Sequence, residues 1–252
     1  MVKTIIHGFN GKMGKVLQSL INNDPDMEIV AGIDAFNTES DYCPVYKSIL
    51  DCSTEADVII DFSHFSAVPD LIKYTVDTKT PAVICTTGLT EEINGLIKEA
   101  SQSVSLFRSA NMSLGINVLK EAMKIVVGPL ESNFNIEIIE KHHNKKVDSP
   151  SGTALLLADA INDSCKMKKD YIYGRHSKND ECKITDLGIH AVRGGTIPGE
   201  HTIIFAGPDE IIELRHTALS KNIFANGAIE AAKFLSTQKT GLYNMSNLFD
   251  EN

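Results

Sequence analysis

Through Ser109 the chain alternates short runs of β-branched residues with segments of helical spacing. The runs are Lys3–His7 (KTIIH), Glu28–Asp34 (EIVAGID), Ala56–Ser63 (ADVIIDFS), Pro81–Thr87 (PAVICTT) and Ser103–Ser109 (SVSLFRS). Between them stand KMGKVLQSLINN, SAVPDLIKYTV and TEEINGLIKEAS. Strands that are apolar along most of their length, separated by helices, predict a parallel sheet covered on both faces. Their carboxyl ends carry small polar residues: Asp61-Phe62-Ser63, Cys85-Thr86-Thr87-Gly88 and Ser109-Ala110-Asn111. In a doubly wound sheet those ends line the ligand crevice.

After Asn111 the organisation changes. An amphipathic helix, LGINVLKEAMKIVV, precedes NIEIIEKHH, whose alternation predicts a strand with one covered face. If Asn135–His142 is extended, Ile136, Ile138, Glu140 and His142 share one face, while Ile139, Lys141 and His143 share the other. From Lys183 onward ITDLGIHAVRGG, HTIIFA and EIIELRHTAL read as antiparallel strands, with Gly207-Pro208-Asp209 as the turn between the last two. This is a second, open-faced sheet. Phe224–Leu235 has helical spacing and is expected to return to the first domain.

With 252 residues, 42% of them hydrophobic, the chain can bury one large core or two modest ones. The net charge of −9 excludes nucleic acid as a partner unless a local basic patch overcomes the repulsion. A small anionic ligand meets the same field, so local cations stand out. The five cysteines are odd in number and form no CxxC pair, which fits reduced thiols rather than a disulfide framework, and no metal site is expected. No stretch approaches the roughly 18 apolar residues of a membrane helix, and the apolar run at the N-terminus is too short for a signal peptide. The expectation is a soluble, cytoplasmic protein.

Gly8-Phe9-Asn10-Gly11-Lys12-Met13-Gly14 follows the first strand directly and opens a helix. Glycines there permit a tight turn and close approach of the backbone to a pyrophosphate, whose charge a helix N-terminus stabilises. Asp34 ends the second strand about 20 residues after Gly14, where a carboxylate accepts hydrogen bonds from an adenosine ribose. A lone nucleotide or an S-adenosyl group would also suit a glycine-rich start, and a bare glycine turn needs no ligand. Asp34 repels a ribose 2′-phosphate, Ala35 offers no compensating charge, and Lys12 is the one evident cation nearby. NADH is therefore expected to serve at least as well as NADPH.

The segment Glu140–Leu155, EKHHNKKVDSPSGTAL, crowds two histidines and three lysines in front of Ser151-Gly152-Thr153 and the helical run ALLLADAI. Near pH 7 an imidazole donates a proton with little penalty, so His142 or His143 suits general acid catalysis. Ser151 or Thr153 can cap the helix, and its N-terminus with Lys145 and Lys146 close by would attract a carboxylate or phosphate. The bland accounts are a solvated strand end, a charged loop and a simple cap. None of them explains all of these residues on one short segment.

These residues carry a resemblance. The pattern E-x-H-H-x-x-K-x-D-x-P-S-G-T-A stands here as Glu140, His142, His143, Lys146, Asp148, Pro150, Ser151, Gly152, Thr153 and Ala154. With GFNGKMG, DFS at Asp61, TTG at Thr86, SANMSLG from Ser109, GIHAVRGGTIPGEH from Gly188 and FANGA from Phe224, the chain resembles the 4-hydroxy-tetrahydrodipicolinate (dihydrodipicolinate) reductase family over nearly its whole length. The resemblance implies an α/β fold: a Rossmann-like, doubly wound parallel sheet over residues 1–112, a mixed-sheet α+β substrate and oligomerisation domain over 113–221, and a segment over 222–252 returning to the first domain. It implies a homotetramer, domain closure on substrate, and NADH or NADPH held by Gly8, Asn10, Gly11, Lys12, Met13, Gly14, Asp34, Phe62, Ser63, Thr86, Thr87, Gly88, Ser109, Asn111 and Met112. Hydride would pass to the dehydrated ring of a small cyclic dicarboxylate. His142 would then supply a proton, with Lys146 as its catalytic partner and His143, Ser151, Gly152 and Thr153 holding the substrate. Lys12 and Lys221 stand where the family more often has arginine, and Met112 where it has phenylalanine. A dehydrogenase of another small dicarboxylate or amino acid would share this plan; a nicotinamide-binding sensor without turnover would leave the His142–Thr153 cluster unexplained.

Overall fold

The computed structural model describes residues 1–176 and 181–249. The chain forms two compact units, Met1–Ser113 with Asn222–Asn252, and Leu114–Lys221. The first unit opens with β1 (Val2–His7), α1 (Lys12–Ile21), β2 (Met27–Ile33), β3 (Val45–Tyr46), β4 (Val58–Asp61), α2 (Val68–Thr78), β5 (Ala82–Ile84), α3 (Glu91–Ala100) and β6 (Ser105–Arg108). The second contains α4 (Leu114–Leu130), β7 (Asn135–His142), α5 (Gly152–Ser164), β8 (Asp170–Tyr173), β9 (Asp186–Arg193), β10 (Glu200–Ala206) and β11 (Ile211–Thr217). The chain then re-enters the first unit through α6 (Asn222–Leu235) and β12 (Gly241–Tyr243).

Seven parallel strands in the order β12-β6-β5-β4-β1-β2-β3 make the first sheet. The order reverses at β1, which pairs with β2 on one side and β4 on the other, so the switch point of a doubly wound fold lies between the carboxyl ends of β1 and β4. Ile5, Ile6, Ile59, Ile60, Val83 and Ile84 have no exposure, which is why these strands read as unbroken apolar runs. The start of α3 is capped: the Thr90 hydroxyl accepts the Ile93 N–H at 3.3 Å, with Glu91 and Glu92 in the first turn.

The second sheet is mixed, in the order β11-β10-β7-β9-β8. Strand β7 runs antiparallel to β10 and parallel to β9. Its residues alternate between buried and half-buried, as the 2-residue period requires. Ile136, Ile138, Leu187, Ile189, Ile203 and Phe205 face α4 and α5, where they meet Met123, Val127, Leu157 and Ile161. One expectation is corrected. Strands β9 and β10 run in opposite directions but do not pair, because β7 lies between them. Periodicity dictates which side chains face the core but not which strands are neighbours, and β8, β3 and β12 are too short to leave a period at all. The Gly207-Pro208-Asp209 turn does join β10 to β11, closed by Gly207 N–H to the Glu210 carbonyl at 2.9 Å. Among the described residues no helix is long and apolar enough to cross a membrane.

Helix α6 packs through small residues: Ala225, Gly227, Ala228, Ala231 and Ala232 are buried. A β-carbon at Gly227 would strike the backbone carbonyl of Met112, which cannot swing aside. We therefore expect Gly227→Ala to destabilise the protein by about 1–3 kcal/mol. A urea titration checks this: the midpoint falls while the slope stays constant.

Candidate active site

In the first unit, the turn after β1 is built for close approach. Gly8 has φ +85°, and a β-carbon there would come within 2.6 Å of the Phe62 carbonyl oxygen. A β-carbon at Gly14 would collide with the carbonyls of Gly8 and Phe9, so α1 starts hard against the turn. Gly11, the residue before α1, makes no side-chain cap. First-turn N–H groups have no acceptor within their own helix, so this terminus suits an anion.

Below the turn, Asp61 is wholly buried at the end of β4. Burial alone would raise its pKa, yet His7, the Ser63 N–H and the Thr86 hydroxyl hold it below the usual carboxylate range. The distances are 3.0 Å to His7 Nδ1, 3.1 Å to Ser63 N and 2.7 Å to Thr86 Oγ1. Asp34 accepts three backbone N–H groups, from Asn10 at 2.9 Å and from Phe36 and Asn37 at 3.0 Å each. A carboxylate has roughly four acceptor directions, so about one remains.

A cavity of about 610 Å³ opens here, lined by Gly8, Asp34 and Ser63 together with Lys47, Ser48 and His64. The other expected cofactor residues do not line it. Asn10, Gly11, Lys12, Met13 and Gly14 form the turn and first turn of α1; Phe62 packs beside Gly8; Thr86, Thr87 and Gly88 follow β5. Ser109 Oγ donates to the Asn111 carbonyl at 3.0 Å, while Met112 is buried beside α6. Lys47 went unnoticed in the sequence because it lies far along the chain from Asp34; the pairing of β2 with β3, Ile33 opposite Tyr46, brings it back. Lys12 is thus not the one cation near Asp34.

In the second unit, the core-facing row of β7 changes character at its end. Ile136 and Ile138 are followed by Glu140 and His142, 0% and 8% exposed. Glu140 Oε2 receives His142 Nδ1 at 2.7 Å and Arg193 Nη1 at 2.6 Å; Oε1 receives the Ser151 N–H at 2.9 Å and Arg193 Nη2 at 2.7 Å. Burial opposes ionisation, but Arg193, His142 and Ser151 together hold the Glu140 carboxyl below its ordinary pKa. An ionised carboxylate only accepts, so His142 carries its hydrogen on Nδ1 toward Glu140. Nε2 then faces Gly199, where a β-carbon would stand 3.1 Å away.

Ser151, rather than Thr153, caps α5: its hydroxyl accepts the Ala154 N–H at 3.1 Å and meets His201 Nε2 at 3.0 Å. The rings of His142 and His201 are 5.2 Å apart. Burial and the neighbouring His142 push His201 down to about 4, so it stays neutral. Lys146 Nζ holds Asp148 Oδ1 at 2.8 Å, and the Lys146 N–H bonds the His143 carbonyl at 3.1 Å. His143, Lys146, Ser151, Gly152 and Thr153 thus flank the His142 end of β7. Side chains of this kind can donate a proton at one atom and bind carboxylates around it.

A family model described as "Dihydrodipicolinate reductase, N-terminus" matches residues 2–112, and one described as "Dihydrodipicolinate reductase, C-terminus" matches residues 115–249. The chain belongs to the dihydrodipicolinate reductase family. The 4-hydroxy-tetrahydrodipicolinate reductase of Caldanaerobacter subterraneus subsp. tengcongensis is 53% identical, covering 98% of both chains. That of Clostridium tetani is 48% identical over 97% of this chain and 96% of its own. Among solved structures, a dipicolinate-bound dihydrodipicolinate reductase from Paenisporosarcina sp. TG-14 has a TM-score of 0.81 at 24% identity, covering 98% of this chain and 99% of that one. At that identity the likeness shows the fold.

Arg193 and His201 carry no signal of their own in the sequence, although both stand in GIHAVRGGTIPGEH. Only strand register reveals them: Arg193 lies opposite His142 and His201 opposite Glu140, on the two strands flanking β7.

The depressed His201 has a consequence for stability. Unfolded, it binds a proton near pH 6.5; folded, near pH 4. Between those values only the unfolded state is protonated, so stability falls as pH drops through that window. The stability gap between wild type and His201→Asn should shrink by about 2 kcal/mol from pH 7 to pH 4.5. Paired urea titrations at the two pH values read this directly; a constant gap would mean that His201 titrates normally.

Proposed function

We propose that this chain is an NAD(P)H-dependent oxidoreductase that reduces 4-hydroxy-tetrahydrodipicolinate, through dihydrodipicolinate, to tetrahydrodipicolinate in the diaminopimelate route to lysine. The observation that carries the reading is the convergence, at the end of β7 in a chain of this family, of a histidine oriented by a buried carboxylate with a lysine and the start of α5.

A bound reduced nicotinamide supplies the hydride. The glycine turn fits such a group, since a β-carbon at Gly8 or Gly14 would strike the neighbouring backbone and push the turn away from the start of α1, whose N–H groups suit a pyrophosphate. The turn Gly8–Gly14 takes the pyrophosphate, the remaining acceptor of Asp34 takes the adenosine ribose, and Phe62, Ser63, Thr86, Thr87, Gly88, Ser109, Asn111 and Met112 complete the cofactor set. His142 acts as the imidazolium: it keeps the Nδ1 hydrogen on Glu140 and gives the second proton, carried on Nε2, as electron density builds on the ring. Lys146 exchanges Asp148 for a substrate carboxylate, and His143 with Ser151, Gly152 and Thr153 holds the rest of the cyclic dicarboxylate. Fixed positive charge placed before the reaction stabilises density as it forms.

The cofactor reading is that NADH serves at least as well as NADPH, because Asp34 faces the position of a 2′-phosphate. Lys47 moderates that repulsion without removing the carboxylate. By the same reading the enzyme works in the cytoplasm as a homotetramer assembled through the second unit. Supporting the assembly is the sheet face opposite α4 and α5, where Ile139 and Ile204 are half-buried and Val192 and Ile211 are 44% and 65% exposed.

The deciding experiment follows oxidation of NADH and NADPH on substrate made in situ from pyruvate and aspartate semialdehyde by the upstream synthase. Rapid, synthase-dependent oxidation is expected; none with either cofactor, from protein that binds one, would reject the reading. An advantage for NADPH in kcat/KM above about 100-fold, about 2.7 kcal/mol, would overturn the cofactor preference. His142→Ala is expected to lower kcat by about 10²–10⁴ with cofactor binding unchanged. Lys146→Ala should impair both KM and kcat.

A further inference from the structure

Arg193 has no part in the reading above, yet its guanidinium touches both halves of the cluster. It forks onto the two oxygens of Glu140 at 2.6 and 2.7 Å, and Nη2 also donates to the Asp148 carbonyl at 2.7 Å, in the loop that carries Lys146. The same Glu140 oxygen that takes Nη1 takes His142 Nδ1 at 2.7 Å. Parallel register sets this up, with Arg193 directly across from His142 on β9.

We propose that Arg193 is a positioning residue for the reduction: through Glu140 it keeps one hydrogen of His142 on Nδ1, leaving the Nε2 proton for transfer, and it limits how much negative charge that imidazole feels. The inference rests on His142 being the proton donor. A bare Glu140, buried at 0% exposure beside the ring, would stabilise the imidazolium and make it a reluctant acid. Arg193 cancels that charge while leaving the orienting hydrogen bond in place. The planar fork is suited to this, because it engages both carboxylate oxygens and still has a donor for Asp148.

Among the described residues, other charges around His142 are few. His201 lies on β10 with His216 opposite it on β11; Lys146 is paired with Asp148 in the following loop; Lys141 and Glu200 pair with each other beside Arg215. Glu140 and Arg193 therefore dominate the field at Nδ1.

A purely structural role, tying β7, β9 and α5 together, predicts that removing either partner weakens the fold and changes activity without opposite effects on titration. The positioning role predicts opposite signs. In the ligand-free, full-length protein, followed by NMR of the His142 imidazole, Arg193→Met should raise the pH at which His142 titrates by about 1–2 units, because Glu140 is left uncompensated. Glu140→Gln should lower it by a similar amount, because Arg193 is left uncompensated. Arg193→Lys keeps the charge but loses the fork, so titration should stay within about half a unit of wild type while KM rises several-fold. The descending limb of kcat against pH should move with the NMR titration.

Shifts in the same direction, or none, would overturn the inference. Should Arg193→Met fail to fold, Glu140→Gln and Arg193→Lys still decide: the first must lower the titration and the second must leave it. If His142→Ala retains normal turnover, the underlying assignment of His142 fails, whatever the NMR shows. If that variant is slow but the titrations do not separate, only the role of Arg193 fails.

Discussion

An ionised carboxylate with no access to water is tolerated only when its hydrogen-bonding capacity is filled, and Glu140 meets that condition with four donors. They come from three places: His142 on β7 itself, the N-cap residue of α5, and Arg193 on β9. Each contact depends on the geometry around it. The parallel pairing of β7 with β9 must hold its register, and α5 must begin at Ser151. Register in turn is held by the apolar row below, where Ile136 and Ile138 sit opposite Leu187 and Ile189. The aliphatic core places the carboxylate, and the carboxylate orders the polar end of the sheet. That dependence explains a feature of the signature that composition cannot: a glutamate, a histidine two residues on, and a serine eleven residues on must occur together because all three meet at one pair of oxygens.

The first unit solves a similar problem differently. Asp61, also wholly buried, ties the end of β4 to His7 on β1 and to Thr86 after β5, so three neighbouring strand ends are pinned beneath the glycine turn. Asp34 pins the loops beside it through Asn10, Phe36 and Asn37. A carboxylate expected to read a ribose thus also holds its own walls in place. Most of its acceptor capacity is already committed, which makes any ribose contact an addition to a standing network rather than the reason for the residue.

Much of this was legible in the sequence, and for identifiable reasons. Unbroken apolar runs such as VIID gave the parallel sheet, because strands covered on both faces have no polar side to display. Alternation in NIEIIEKH assigned Glu140 and His142 to the covered face and separated His142 from His143. What escaped was adjacency. Nothing in the period of β9 or β10 says that β7 lies between them. Arg193, His201 and Lys47 matter through partners more than ten residues away, and only pairing of strands brings them to those partners. Met112 likewise depends on a distant partner: it is buried, and its backbone carbonyl meets the close approach of Gly227.

Charge remains the hardest constraint for a protein of net charge −9 that is read as binding a dinucleotide and a dicarboxylate. Asp148 shows how the second unit meets it. Its carboxyl is held below the usual range mainly by the hydrogen bond from Lys146, with the Gly152 N–H contributing as well. Those are two of the donors assigned above to a substrate carboxylate, so Asp148 occupies the position of the anion that would replace it. The side chain of Asp148 is 59% exposed, and such a pair at the surface is worth only about 0–1 kcal/mol. On the proposed reading, a substrate that offers two carboxylates to the same donors would displace it at little cost, because the released aspartate would already face water. Until then the lysine is never an unpaired cation, and the start of α5 keeps an anion beside it. Arg193, bonded to the Asp148 carbonyl rather than to its carboxylate, would hold the backbone of the loop in place during such an exchange.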